Sequence, residues 1–125
     1  MQVDTANMLA GGGDPVQCLR NHPGRAATLH LKEHSQANPA ALLGEGEVDW
    51  QGLFNAVEAQ DATEWLIVEW EGDFLPPLVA VESCLANLKK MAKQAIGPGV
   101  VAGLQVAFGP MTDRGGARVF RQGPR

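Results

Sequence analysis

The sequence predicts an α/β protein with parallel strands, and three observations carry that prediction. Apolar stretches of strand character occur at residues 2–5, 26–31 and 65–70; a stretch with helical spacing of apolar residues follows each; and breaks rich in Gly and Pro separate them. Strands that alternate with helices imply right-handed crossovers and a parallel sheet, whose ligand sites lie at the C-terminal strand ends.

The first unit opens with Gln2-Val3-Asp4-Thr5 as the end of a strand, followed by a loop at Ala10-Gly11-Gly12-Gly13. Asp14-Pro15 offers an N-cap and a favoured first helical residue, with Val16 and Leu19 apolar three apart, and His22-Pro23-Gly24 ends that short helix. In the second unit, Ala26 to Leu31 has strand length, with Leu29 and Leu31 on one face and Thr28 and His30 on the other. Residues 32–48 read as a long loop containing Asn38-Pro39 and Gly44-Glu45-Gly46, of a length that suits binding. Asp49 then caps a helix with Leu53, Phe54 and Val57 in one stripe. The third strand, Trp65 to Trp70, is almost continuously apolar, as expected for a parallel strand covered on both faces, with Glu69 as its polar exception. After Pro76-Pro77 a helix is expected to place Leu78, Val81, Leu85 and Leu88 on one side, with Lys89, Lys90 and Lys93 near its C-terminal end, where the helix dipole favours cations. Residues 1–96 form the domain in this reading. Residues 97–125, rich in Gly, Pro and Arg and without hydrophobic period beyond a brief patch from Val100 to Phe108, are expected to be a poorly ordered tail.

Bulk properties narrow the function. With 14 acidic against 10 Lys and Arg residues, the formal charge is -4. A general binder of the phosphate backbone would carry a basic stripe, so nucleic acid is not expected as a partner. No run approaches the roughly 18 apolar residues that span a bilayer, and the N-terminus lacks the pattern of a secretory signal, so no membrane is expected and the setting is expected to be cytoplasmic. Cys18 and Cys84 have no second Cys at metal or redox spacing and read as buried free thiols.

Asp4, His30 and Glu69 fall at the C-terminal ends of the three expected strands. Singly, each has a plainer reading: a solvated terminal acid, a hydrogen-bonded interior histidine, a paired strand-end carboxylate. Together they suit a divalent cation, Mn²⁺, Mg²⁺, Co²⁺ or Zn²⁺, with open positions for substrate oxygens. Such a cation polarises a carbonyl or hydroxyl, and a carboxylate such as Glu69 can move a proton on the adjacent carbon. The Gly44-Glu45-Gly46 loop lacks the Gly-Lys-Ser/Thr ending of a phosphate-binding P-loop and is expected to form a sharp turn that brings Glu47 or backbone near the site.

Four segments, Val3-Asp4-Thr5-Ala6-Asn7, Leu29-His30-Leu31-Lys32-Glu33, Gly44-Glu45-Gly46-Glu47-Val48-Asp49-Trp50 and Ile67-Val68-Glu69-Trp70-Glu71-Gly72, resemble in order and spacing the last three strands of the sugar phosphate isomerase/epimerase superfamily, the xylose isomerase-like TIM barrels. The resemblance implies a partial (β/α) TIM barrel, about its last three β/α units. It implies Asp4, His30 and Glu69 as metal ligands and Glu69 as one of two carboxylates that shuttle a proton between adjacent carbons of a sugar or cyclitol. The other carboxylate belongs to an earlier strand in the family, and a complete barrel takes about 250 residues, so self-association or a complementing chain is expected to cover the open edge. Asn7 stands where many relatives carry a substrate-contacting histidine; it, Lys32 and His34 are the expected substrate contacts, with a solvated loop face as the other reading of Lys32 and His34. A non-catalytic barrel fragment or interaction module with weak metal binding is the alternative. Phosphoesterase chemistry of the kind found in zinc endonucleases of similar barrel design is disfavoured by the acidic balance and the single strand-end histidine.

Overall fold

The computed structural model describes residues 1–96, 104–107 and 116–121, with side chains described for residues 1–92. Among the described residues the elements in chain order are β1 (Gln2–Asp4), α1 (Thr5–Ala10), α2 (Pro15–Asn21), β2 (Thr28–Leu31), α3 (Trp50–Gln60), β3 (Trp65–Glu69), α4 (Pro77–Ile96), β4 (Leu104–Ala107) and β5 (Gly116–Arg121). The chain is a mixed α/β fold whose first three strands pair in parallel, with Asp4 beside His30, and His30 beside Ile67.

Local chemistry explains most of these boundaries. Asp14 accepts from the amides of Val16 and Gln17, and Pro15 starts α2 with its φ already helical. Asp49 accepts from the Gly52 amide at 2.9 Å and starts α3. The Trp50 and Phe54 rings then lie 6.1 Å apart on the buried side of that helix. Helix α1 is an element the sequence reading passed over. Its N-cap is Asp4 itself, which accepts from the Asn7 amide, and the helix ends at Gly11 after six residues.

One hydrophobic core joins sheet and helices. Val3, Leu29, Leu31, Leu66 and Val68 pack with Val16 and Leu19 of α2, Leu53, Phe54 and Val57 of α3, and Val81, Cys84, Leu85 and Leu88 of α4. The intervening strand residues Asp4, Thr28, His30, Trp65, Ile67 and Glu69 are half-buried. Strand β3 is therefore covered fully on one face only, which corrects the expectation drawn from its apolar run. Leu78 is also corrected: it is 53% exposed, one turn too early for the stripe that buries Ala80, Val81, Cys84, Leu85 and Leu88. Cys84 is buried and Cys18 partly so, and both are free.

The sheet order is β1-β2-β3-β5-β4. Strands β4 and β5 fall within the segment expected as a tail; β5 pairs antiparallel to β3, and β4 pairs antiparallel to β5. The strands are thus not parallel throughout. The ladder from Glu69–Gly116 to Trp65–Phe120 supplies partners for the outer backbone groups of β3, which would otherwise be an open edge. The rest of the expected tail lies outside the described residues. Among the described residues the sheet stays open, with β1 and β4 at its edges, and no closed barrel forms. No described helix is long and apolar enough to cross a membrane.

Candidate metal centre

The three strand-end residues converge. Asp4, His30 and Glu69 each offer one ligand atom, and these atoms all lie within 4.8 Å of one another. Parallel register is the cause: Asp4 sits beside His30 on the neighbouring strand, and Glu69 lies two residues beyond Ile67, the partner of His30, on the same face. Two carboxylates and an imidazole on one half-buried patch could hold a metal ion.

Each of the three side chains is oriented by a further contact. Asp4 receives the Asn7 amide on Oδ1 and the Asn7 side-chain amide on Oδ2, both at 2.8 Å, so the start of α1 fixes the carboxylate plane. Nδ1 of His30 is hydrogen-bonded to Oε2 of Glu69, which holds the imidazole and carboxylate together. The other Glu69 oxygen faces Lys32 Nζ at 3.8 Å, and Lys32 also pairs with Glu71 at 2.6 Å. Behind the ligands, the fully buried Thr5 hydroxyl donates to the Lys32 carbonyl at 2.6 Å and accepts from the Lys32 amide at 3.0 Å. That pair of bonds ties the first residue after β1 to the first residue after β2.

Asn7, Lys32 and His34, the expected substrate contacts, all line one cleft of about 260 Å³ together with Ser35, Asn38 and Glu71. The cleft adjoins the metal centre, sharing Lys32 and Glu71 with a smaller recess that reaches Glu69.

The long loop between β2 and α3 owes its shape to a residue quoted in a motif but given no role. Glu33 accepts from the His34 amide (3.0 Å) and the Val48 amide (3.2 Å) on Oε1, and from the Gly44 amide (2.7 Å) and the Trp50 indole (2.8 Å) on Oε2. Gly44 takes φ of 87°, a conformation L side chains rarely adopt, and a Cβ at Gly46 would collide with the His34 carbonyl. The turn is as sharp as expected. The Glu47 amide donates to the carbonyl of His34, which lines the cleft, the Glu47 carboxylate accepts from the Gln36 amide, and it is Glu33 that spans the loop. A signal was present in the acid three residues beyond the strand-end histidine, but its partners are backbone amides and the Trp50 indole, up to 17 residues away.

No family model matches this chain, and neither does any curated protein or solved structure.

Proposed function

We propose that this chain is the C-terminal portion of a xylose isomerase-like (β/α) barrel and serves a metal-dependent sugar isomerase or epimerase. The reading rests on one observation above the others: the ligand atoms of Asp4, His30 and Glu69 meet at the C-terminal ends of three successive parallel strands, beside a polar cleft. Oxygen and imidazole donors suit Mn²⁺, Mg²⁺, Co²⁺ or Zn²⁺. When bound, the cation polarises the oxygens of a sugar or cyclitol. Glu69 takes the proton from the adjacent carbon and returns it, with Lys32 beside its free oxygen as a cationic neighbour. Asn7 and His34 offer hydrogen bonds to substrate hydroxyls from the cleft wall. The second proton-transfer carboxylate of the family belongs to an earlier strand, outside these three units. A cytoplasmic setting belongs to the same proposal.

The open sheet supports a second reading, a non-catalytic barrel fragment or interaction module with weak metal affinity, because among the described residues β1 pairs with β2 alone. Titrating Mn²⁺ calorimetrically into the chain while following its mass in solution separates the two. A closed assembly with a tight metal site and ketose epimerisation supports the enzyme; a monomer indifferent to metal supports the fragment. The Glu69→Gln variant is expected to lose proton transfer with its fold retained, and epimerisation that survives this change sinks the assignment.

A further inference from the structure

Both oxygens of Asp4 are held by a single residue. The Asn7 backbone amide donates to Oδ1 and the Asn7 side-chain NH₂ donates to Oδ2, each at 2.8 Å. Charge fixes the orientation of that side chain: its NH₂ group faces the carboxylate because its carbonyl oxygen would be repelled there. Two donors from one residue, one to each oxygen, form a fork of the kind with which a guanidinium grips a carboxylate. A cation bound through both oxygens of a carboxylate needs that same approach. At Asp4 it is taken, which leaves a cation a lone pair on one oxygen. Glu69 carries a related restriction, because its Oε1 lies 3.8 Å from the Lys32 ammonium, which repels a second cation from that side.

The number of oxygens offered separates cations by size. Ca²⁺ gathers roughly six to eight oxygens at about 2.3–2.6 Å and often takes a carboxylate through both of them, whereas a smaller ion such as Mg²⁺ binds at about 2.0–2.1 Å with few carboxylates and retained waters. We propose that Asn7 is a positioning residue that sets the ion selectivity of the centre: its grip on Asp4 enforces one-oxygen ligation and turns Ca²⁺ away in favour of a smaller cation such as Mn²⁺. This rests on the metal-centre reading above and goes beyond it, because it gives Asn7 a task on a metal ligand where a substrate contact was expected. Asn7 is exposed on α1, and the backbone half of the fork survives a change of its side chain, so Asp4 still caps the helix.

The test is calorimetric titration of Mn²⁺ and of Ca²⁺, each alone, into the full chain and into its Asn7→Ala and Asn7→Asp variants, with circular dichroism to follow the fold. The unaltered chain is expected to bind Mn²⁺ at least about tenfold more tightly than Ca²⁺. Asn7→Ala frees Oδ2 and is expected to narrow that ratio about threefold or more. Asn7→Asp exchanges the donor for a further oxygen of the same shape and is expected to narrow it further. Simple disordering of α1 would weaken both ions alike, so the ratio separates positioning from a merely structural role. Equal binding of the two ions by the unaltered chain overturns the inference and leaves the metal centre standing, as does a ratio that moves in neither variant. If neither ion binds the unaltered chain, the metal-centre reading itself fails and takes this inference with it.

Discussion

On one face of β1, β2 and β3 the side chains of Val3, Leu29, Leu31, Leu66 and Val68 are closed over by α2, α3 and α4; on the other, Asp4, His30 and Glu69 stay partly open. The alternation of a strand places these two sets one residue apart, so Leu29 and His30 are chain neighbours with different physical roles. The helix-covered face supplies the hydrophobic stabilisation, and the opposite face holds polar groups that hydrogen bonds keep convergent. Stability and chemistry are thus separable along a single strand, and substitutions on each side should report on one without the other.

The pair Leu29 and His30 offers the largest contrast. Leu29→Ala opens a cavity in a fully buried position and is expected to cost about 2–5 kcal/mol in denaturant unfolding, with metal stoichiometry of the folded fraction unchanged. His30→Ala removes one ligand and one hydrogen bond, and is expected to cost only about 1 kcal/mol while weakening Mn²⁺ binding in calorimetry by more than tenfold. Equal stability losses from the two would break the division between the faces.

Glu33 sharpens the comparison because it is a site-side carboxylate used for structure. In Glu33→Gln one acceptor oxygen becomes an NH₂ group facing N–H donors, so two of four contacts are lost. The expected cost is about 2–3 kcal/mol, with faster limited proteolysis between residues 34 and 48. Unchanged cleavage would show that the loop is held by other contacts.

The smallest effect lies in the core. Burial raises the Cys84 thiol above its ordinary value of 9.0, the Glu45 and Glu33 charges add to this, and a backbone hydrogen bond at Leu43 opposes it. The folded chain therefore keeps this proton longer than the unfolded chain does. The stabilisation is complete below pH of about 9 and is lost as pH rises through the folded value. Thiol labelling at pH 8 should accordingly modify the half-buried Cys18 before Cys84, and the reverse order would contradict the packing of α4.

Much of this architecture was legible because its causes are local. Asp14-Pro15 and Asp49 cap the helices they were read to cap, and alternation in Thr28–Leu31 put His30 on the correct face. The convergence of Asp4, His30 and Glu69 was legible because parallel register aligns strand ends. Helix α1 was not: six residues hold too little periodicity, and its one strong signal, Asp4, also reads as a ligand. Nor were β4 and β5, which lie in Gly-rich surroundings: β5 owes its place to the unpaired side of β3, a partner more than 30 residues away, and β4 to β5. The role of Glu33 was hidden for a similar reason, since three of its four partners are backbone amides, which leave no side-chain pattern to read.

Thr5 gives the fold a mechanical property. Asp4 and Thr5 share a peptide bond, and the Thr5 hydroxyl grips both the amide and the carbonyl of Lys32. A pull on the Asp4 carboxylate is therefore delivered through a rigid two-residue lever to the strand end that carries Lys32. The Lys32 amide, bonded to a hydroxyl, becomes a gauge of that lever: its hydrogen-exchange rate reads the tension between β1 and β2.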